Sequence, residues 1–438
     1  MAEISRDNLL RSWKEIAAYL GCDVRTCHRW EGKRGMPVHR AEGGESKSPV
    51  FAYKDELDAW FKETFRSASE TAKKAADVRP WLKWALGGAA VIILAGAFLR
   101  EGGILAKRQP ADFAIEGSVL IILDKQKQEL WRWDTKMEDL KPEPFYRASF
   151  QHRDHDAGNI LPALIIKDID KDGETEVLFA PKGENDQTGE GWLYCLDRKG
   201  VERWRFPAGR ELRCGGKVFS PDYRIAGFHA HDLVGDGKCE IVVEAFHAPD
   251  WPCQLALLDA SGKILGEYWN AGYLRDVEYV DMTGDGREEL VVVGVNKEYR
   301  SGCLIVFDPL RIGGGSPQSG DFACEGVGPG TELYYIVTLP CDVHEALSPY
   351  TADLRQIDLP DNGWIRATSS LGLIFDFDFK LDPVQVSWGD GFKGLHMSLA
   401  ATGKIPSALG PAYERTILDS IRFWNGSEMV AEPAKNPR

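Results

Sequence analysis

The feature that most constrains this chain is an internal repeat between residues 168 and 292. Three blocks, DIDKDGETEVLF, DLVGDGKCEIVV and DMTGDGREELVV, begin at Asp168, Asp232 and Asp281. Each block has Asp at its first position, Asp-Gly at positions 5 and 6, Glu at position 9, and then an apolar run. Such self-similarity indicates an array of similar supersecondary units.

A second element alternates with these blocks and has a tryptophan within its last three residues in three of its four copies. The copies are VLIILDKQKQELWRW, WLYCLDRKGVERWRF, QLALLDASGKILGEYW and CLIVFDPL, with aspartates at Asp124, Asp197, Asp259 and Asp308. Each unit therefore consists of short strands joined by Asp/Gly turns, without an intervening helical periodicity. Radial closure of such units, as in a β-propeller, would protect the sheet edges.

The alternation of D-x-D-x-D-G-x-x-E with L-D-x-x-G-x-x-x-W resembles the FG-GAP/VCBS repeats of β-propellers. The resemblance covers residues 115–310 and fades beyond Leu310, although FDFDFKLDPVQVSWGDG and SIRFWNG are typical of strands. It implies an all-β propeller, which we expect to extend over residues 115–438; about 330 outer residues allow five to seven blades.

The acidic blocks also predict cation sites. Carboxylates at alternating positions around a glycine turn can converge on calcium, which prefers six to eight oxygen ligands. The candidate ligands are Asp168, Asp170, Asp172 and Glu176 in the first block, Asp232, Asp236 and Glu240 in the second, and Asp281, Asp285 and Glu289 in the third. The alternative is a metal-free Asp-Gly turn closed by side-chain to backbone hydrogen bonds.

The segment Trp81 to Leu99 (WLKWALGGAAVIILAGAFL) has Lys83 as its only charged residue. As a helix it would span roughly 28 Å, close to the hydrocarbon thickness of a bilayer. It therefore predicts a single transmembrane helix with interfacial tryptophans. A buried core helix is the alternative.

Charge is divided unequally around this segment. Residues 1–83 contain 16 Lys+Arg and 13 Asp+Glu, whereas the remainder contains 37 and 54. Six of the basic residues precede the apolar core between Lys62 and Lys83, so the positive-inside rule places the N-terminus in the cytoplasm. Seven of the nine cysteines then lie outside, and at least one of these seven is unpaired in a monomer.

The N-terminal residues predict two short helices. SWKEIAAYLG has Ser12 and Glu15 at capping-box spacing, an apolar stripe, and a terminal glycine. The second helix follows Asp23 and presents Arg25 and Arg29 on one face, with His28 at its border, opposite an apolar arc. Arginine is well suited to bidentate contacts with guanine or phosphate.

A hairpin and a third helix follow. GMPVHRAEGGESKSPVFAY has β-prone ends around a glycine-rich tip, and DELDAWF places Leu57, Trp60 and Phe61 on one helix face. Residues 8–63 resemble the excisionase/MerR-like winged helix-turn-helix family in four segments: SWKEIAAYLG, RTCHRWE, GMPVHR and DELDAWF. The resemblance implies binding of double-stranded DNA through Arg25, Thr26, Arg29, His39 and Arg40.

These observations predict a multi-domain chain: a small α+β winged helix-turn-helix, a single transmembrane helix and a large all-β propeller. The predicted ranges are 1–65 for the DNA-binding domain, 66–80 for a linker, 81–99 for the span, 100–114 for a second linker and 115–438 for the propeller.

The expected function is a non-enzymatic, membrane-tethered transcription regulator in the bacterial inner membrane, with an outer domain that binds an unknown ligand or protein. Homodimerisation would compensate for the modest positive charge of the inner domain. One alternative is an adhesion or scaffold propeller with an inner protein-interaction module. Another is a propeller that cleaves polysaccharides, although no catalytic acid/base pair is evident.

Overall fold

The computed structural model describes residues 8–20, 24–40, 50–66, 108–151, 162–184, 191–248, 251–347, 352–360, 362–405 and 408–433. It separates the chain into two units, Met1–Ala106 and Lys107–Arg438. The predicted membrane span, 81–99, lies outside the described residues. Within those residues, no helix has both the length and the apolar composition needed to cross a bilayer.

The elements of the first unit include the two helices, the hairpin strands and the third helix that the sequence predicts, and a short first strand that it does not predict. They are β1 (Leu9–Leu10), α1 (Trp13–Leu20), α2 (Val24–Arg34), β2 (His39–Arg40), β3 (Val50–Tyr53) and α3 (Lys54–Arg66), with sheet order β1-β3-β2.

Ser12 caps the first helix as predicted, but Glu15 reaches back to the N–H of Arg11 rather than to that of Ser12, so the predicted capping box is only partly formed. The Ser12 hydroxyl accepts a hydrogen bond from the Glu15 N–H at 3.2 Å, and the Glu15 carboxylate accepts one from the Arg11 N–H at 2.8 Å. These bonds satisfy two donors, one of them among the N–H groups that α1 leaves unpaired at its start.

The core of the first unit lies between the two short helices, the small sheet and α3. Its fully buried residues include Ile16, Cys27, Ala52 and Leu57. Phe61 differs from the expectation, because 40% of its surface is exposed and its ring only edges against other aromatic rings.

The described residues of the second unit are mostly β and form five successive, mainly antiparallel sheets, numbered in chain order. Sheet 1 is β4 (Asp112–Glu116), β5 (Val119–Leu123) and β6 (Glu129–Asp134); sheet 2 is β7 (Leu164–Lys167), β8 (Glu176–Phe179), β9 (Trp192–Leu196) and β10 (Glu202–Pro207). A separate hairpin, β11 (Leu212–Cys214) and β12 (Lys217–Phe219), follows sheet 2.

Sheets 3 to 5 continue the series. Sheet 3 is β13 (Tyr223–His231), β14 (Glu240–His247), β15 (Cys253–Leu258) and β16 (Ile264–Asn270), extended by the parallel strand β20 (Gly313–Gly315). Sheet 4 is β17 (Leu274–Val280), β18 (Glu289–Asn296), β19 (Ser301–Phe307), β21 (Tyr334–Thr338), β26 (Ile421–Trp424) and β27 (Met429–Val430). Sheet 5 is β22 (Gln356–Asp358), β23 (Trp364–Thr368), β24 (Leu373–Asp378) and β25 (Pro383–Trp388).

Consecutive sheets pack face to face. Four hydrophobic clusters lie between sheets 1 and 2, 2 and 3, 3 and 4, and 4 and 5. The second strand of a middle sheet contributes to two clusters in alternation: on β18, Val291 and Val293 face sheet 5, whereas Leu290 and Val292 face sheet 3. The apolar run after each acidic block is therefore continuous because both faces of its strand are buried.

The prediction that no helix interrupts the repeats is wrong, both between sheets 1 and 2 and beyond the third acidic block. The second unit contains α4 (Glu143–Gln151), α5 (Asp342–Leu347), α6 (Asp390–Ala401) and α7 (Pro411–Leu418). Phe392 and Leu399 of α6 and Ile417 of α7 fill the cluster beside sheet 5. Helices thus supply part of the core in the region where the repeat resemblance fades.

The recurring aspartates of the second element close the turns between strands. The carboxylates of Asp124, Asp197 and Asp259 each accept N–H bonds from residues two and four positions later, at 2.8–3.0 Å. Asp378, between β24 and β25, makes the same two bonds at 2.9 Å and identifies sheet 5 as a further copy of the unit.

Tryptophans connect these turns to the preceding sheet. Trp131 of sheet 1 donates its indole N–H to the Arg198 carbonyl at 3.0 Å, and Trp204 of sheet 2 does the same to Ala260. Each ring lies against the glycine of that turn, Gly200 or Gly262. The L-D-x-x-G-x-x-x-W pattern therefore encodes contacts between sheets as well as turns.

Among the described residues of the second unit, Cys214 and Cys324 form a disulfide. Cys195, Cys239, Cys253 and Cys303 are buried free thiols, and Cys341 is a partly exposed one.

Candidate functional site

The three acidic blocks occupy equivalent places in sheets 2, 3 and 4. We call residues 168–176, 232–240 and 281–289 the first, second and third acidic loops. Each connects the first strand of its sheet to the second: β7 to β8, β13 to β14, and β17 to β18. The repeat that the sequence predicts is therefore also a structural repeat.

The loops share one hydrogen-bond pattern. The aspartate at position 1 accepts N–H bonds from residues three to five positions later: Asp168 from Lys171 and Gly173; Asp232 from Gly235, Asp236 and Gly237; Asp281 from Gly284, Asp285 and Gly286. The aspartate at position 5 accepts one from position 7. These are the bonds expected of the metal-free turn.

The glutamate at position 9 links the end of each loop to its beginning through a hydrogen bond. Glu176, Glu240 and Glu289 each accept the N–H of position 2, at 3.1, 3.0 and 2.9 Å. Burial raises the pKa of Glu176 to about 7, and burial also raises the pKa of Glu240 and of Glu289. Removing a carboxylate from water disfavours its charged form, which explains the shared direction.

The first loop gathers a cluster of carboxylates. One oxygen from each of Asp168, Asp170 and Glu176 lies within 4.8 Å of the others. The guanidinium of Arg203, from β10, binds Asp170 at 2.7 Å and Glu176 at 2.8 Å. A cation is thus already in contact with two of the three carboxylates, and it belongs to the protein.

The remaining predicted ligands, Asp172 and those of the second and third loops, do not join such a cluster. Asp172 uses its carboxylate to accept the Glu174 N–H at 2.7 Å. Within the described ranges, the first loop alone forms a group of three potential ligands; the carboxylates of the second and third loops do not. Val234 and Thr283 at position 3 account for this, because they provide no carboxylate.

The three loops form a contiguous row. The Lys171 ammonium donates to the Asp236 carbonyl at 2.8 Å, and the Cys239 N–H donates to Ile169 at 2.7 Å, joining the first loop to the second. His231, which precedes the second loop, lies 2.6 Å from a carboxylate oxygen of Glu288 in the third.

The candidate DNA-binding residues of the first unit lie on α2 and the hairpin. Cys27 is fully buried, so the opposite side of α2 contains positions 25 and 29, about 200° away around the helix axis. The side chains of Arg25 and Arg29 lie outside the described part of the chain. His28 is exposed, with its ring 4.0 Å from that of Trp13, and Thr26 is half-buried.

The two candidates on the hairpin bind carboxylates of their own unit. Arg40 lies 2.6 Å from Glu31 of α2, and His39 lies 2.6 Å from Glu56 of α3. The side chains of Arg40 and His39 are both close to half exposed. These are therefore surface pairs, and a phosphate could displace either carboxylate at small cost.

Sequence reasoning missed two residues of this architecture. Arg203 contacts the first loop from a strand 27 residues beyond Glu176, and no local pattern relates the two. Asp378 was detectable, because the Asp-x-x-x-Asp spacing to Asp382 places it in a turn between two apolar runs.

No family model and no curated protein sequence matches the chain. Among solved structures it is similar to the quinohemoprotein alcohol dehydrogenase ADHIIG of Pseudomonas putida HK5, at 13% identity and a TM-score of 0.34, over 63% of this chain and 40% of that one.

Two further structures are similar to a comparable degree. A rhamnogalacturonan lyase of Bacillus licheniformis matches at 14% identity and a TM-score of 0.28, over 72% of this chain and 65% of the lyase. The Dos1 propeller matches at 10% identity and a TM-score of 0.28, over 62% of this chain and 66% of that one. Similarity of this size assigns neither activity nor ligand, so the proposals that follow rest on the chain's own residues.

Proposed function

We propose that this protein is a membrane-tethered, DNA-binding transcription regulator whose mostly β, propeller-like unit lies outside the cytoplasm and binds a ligand or partner protein. The observation that carries the proposal is the geometry of α2. Its Cys27 side is buried, which leaves positions 25, 28 and 29 on the side available to a DNA groove.

The hairpin supports the same reading of the first unit. β2 and β3 follow α2 directly, and Arg40 of β2 is linked to α2 through Glu31. A helix that enters the major groove with a basic hairpin beside it is a common DNA-binding arrangement, with base contacts from the helix and phosphate contacts from its flanks.

The disulfide supports the proposed topology. Disulfides persist in oxidising compartments and are rare in the cytosol. The Cys214–Cys324 pair is in the second unit. Export of the second unit is consistent with this bond, as is the apolar segment 81–99 that precedes the unit.

The binding test uses the full chain in detergent and a pool of duplexes made from the source genome. We expect salt-sensitive retention of a subset of duplexes, because phosphate contacts release counterions. Arg25→Ala with Arg29→Ala should abolish the selection, whereas Lys14→Ala, which removes an exposed charge from α1, should only weaken overall affinity. Equal retention by all variants would contradict the proposal.

The carboxylate pairs of the hairpin favour a second candidate, in which the first unit binds a protein. Because Glu31 pairs with Arg40 and the Glu56 carboxylate lies against His39, the hairpin offers less positive potential than its sequence suggests. Glu31→Gln with Glu56→Gln distinguishes the two functions. DNA affinity should rise in this variant if the hairpin faces phosphate, and should stay unchanged if it faces a protein.

For the first acidic loop we propose that calcium binds only in competition with Arg203. Asp168, Asp170 and Glu176 provide oxygen ligands of the type that calcium prefers. Two of these carboxylates bind the Arg203 guanidinium, which would have to leave before the ion could enter.

A further inference from the structure

A cavity unrelated to the acidic loops lies beside α5 and α7. Its volume is about 400 Å³, within the range of small-molecule sites. Pro340, Ala412 and Ile417 give it an apolar wall, and Cys341 also lines it. This cysteine is the one free thiol of the described residues that is not buried.

The thiol has a base beside it. Cys341 Sγ lies 3.1 Å from Nδ1 of His344, and the Cys341 backbone N–H donates to the same nitrogen at 3.3 Å. An imidazole nitrogen that accepts an N–H bond carries a lone pair, so the proton of neutral His344 resides on Nε2. Nδ1 is therefore set up to accept a proton from the thiol.

The surroundings keep both groups neutral at rest. Burial lowers the pKa of His344 and raises the pKa of the Cys341 thiol. Nε2 of His344 is buried and has no hydrogen-bond partner among the described residues. His344 thus has one unsatisfied hydrogen-bond donor, Nε2–H, while its Nδ1 lone pair faces Cys341 beside the cavity.

The charge of the cavity wall selects the ligand. Asp342 and Glu345 both line the cavity, and Asp342 accepts a hydrogen bond from the Tyr413 hydroxyl at 2.6 Å. Within the described part of the chain, no lysine or arginine lines it. An aliphatic molecule with a positive charge fits both the apolar wall and the acidic groups better than an anion does.

We propose that this cavity is a modification site in which Cys341 forms a mixed disulfide with a small cationic disulfide. The thiol proton passes to Nδ1 of His344 as Sγ attacks one sulfur of the ligand. A new S–S bond forms, the ligand S–S bond breaks, and the departing thiolate takes the proton from His344. One thiol and one disulfide are consumed and one of each is produced, so no further oxidant is needed.

The test compares two disulfides of similar size and opposite charge, cystamine and 3,3′-dithiodipropionate. The full chain in detergent is treated with each, and the modified Cys341 peptide is quantified by mass spectrometry over time. Each rate is divided by the rate for the same peptide in the urea-unfolded chain, which removes the intrinsic reactivity of the reagent. Cys195, Cys239, Cys253 and Cys303, all buried, serve as internal controls.

After this normalisation, we expect the dication cystamine to react roughly 10-fold faster than the dianion 3,3′-dithiodipropionate. His344→Gln should slow the cystamine reaction about 10-fold or more, because the base is lost. If that variant unfolds, Glu345→Gln at an exposed position should still reduce the preference for the cation by about threefold. An unreactive Cys341 in the folded chain, or equal normalised rates for the two reagents, would overturn the proposal.

Discussion

At the scale of single residues, the most unusual group is Glu244 on β14. It is fully buried, and neither carboxylate oxygen has a hydrogen-bond partner among the described residues. Burial raises the pKa of Glu244 to about 8, and the nearby Asp276 carboxylate adds to the effect. The side chain is therefore held mainly in its protonated form at neutral pH.

This predicts a pH-dependent effect of Glu244→Gln. The free energy of unfolding of the natural chain should fall as pH rises from about 4.5, the region of the unfolded-state pKa, to about 8, because ionisation opposes the buried state. Glutamine cannot ionise, so the variant should gain about 3 kcal/mol relative to the natural chain between pH 5 and pH 8. Urea denaturation at both pH values measures this.

The matched control for that experiment is Glu325→Gln. Glu325 is exposed, and its replacement should leave the pH dependence unchanged. If Glu244→Gln and Glu325→Gln show the same difference between pH 5 and pH 8, then Glu244 does not titrate in the way that its burial implies.

Arg203 allows a second prediction at this scale. Arg203→Gln removes the guanidinium that binds Asp170 and Glu176, so calcium should raise the melting temperature of this variant more than that of the natural chain. The measurement is thermal unfolding in EGTA and in millimolar calcium chloride. Asp170→Asn on the same background should abolish the gain. A calcium response of equal size in the natural chain and in Arg203→Gln would show that Arg203 does not compete.

At the scale of elements, the turn glycines define how one sheet packs on the next. Gly200 has φ +81°, and a Cβ there would lie 2.7 Å from the Trp131 ring. Gly216 has nearly the same φ, +80°, with nothing within 4 Å of its Cβ position. The two positions therefore separate backbone strain from the contact between sheets.

We expect Gly200→Ala to destabilise the fold by about 3 kcal/mol and Gly216→Ala by about 1 kcal/mol. Both variants lose the left-handed freedom of glycine, but only the first displaces a tryptophan. Denaturant unfolding of the two variants gives the difference. In a double-mutant cycle with Trp131→Ala, the Gly200 penalty should shrink, and a fully additive result would mean that the ring contact contributes nothing.

Local patterns were enough to predict most elements of the first unit and the repeated strands of the second. Ser12 and Glu15 act within about one turn of helix, and Asp124, Asp197 and Asp259 close turns with their own neighbours. Such contacts are encoded in short stretches of sequence, and their outcome depends little on the rest of the fold.

The missed features depend on contacts between distant segments. The Arg203 guanidinium reaches the first loop only once β10 has paired in sheet 2. The sequence of the loop alone therefore overstates its affinity for calcium, because the competing arginine comes from a distant strand. The helix α6 contained a usable signal, since Phe392, His396 and Leu399 recur at helical spacing and are buried. Glycines at 391 and 394 masked it, because glycine disfavours helices and is typical of loops.

At the scale of the whole molecule, the disulfide tests the proposed topology. If the second unit is exported, then protein trapped with N-ethylmaleimide in intact cells and mapped without reduction should contain the Cys214–Cys324 linkage. Reduction should destabilise the second unit by about 4 kcal/mol, because the bond closes a long loop in the unfolded chain. Free thiols at both positions in freshly trapped protein would place the second unit in a reducing compartment.

The central claim is that the first unit regulates transcription from the membrane by binding specific DNA, and genome-wide mapping of the tagged full-length protein in cells tests it most directly. The account predicts discrete occupied sites that share a sequence. These sites should be lost in the Arg25→Ala, Arg29→Ala variant and kept in the Lys14→Ala variant, with the three proteins compared at equal abundance in the membrane fraction. Occupancy no higher than that of the untagged control, or peaks that are identical in all three proteins, would contradict it.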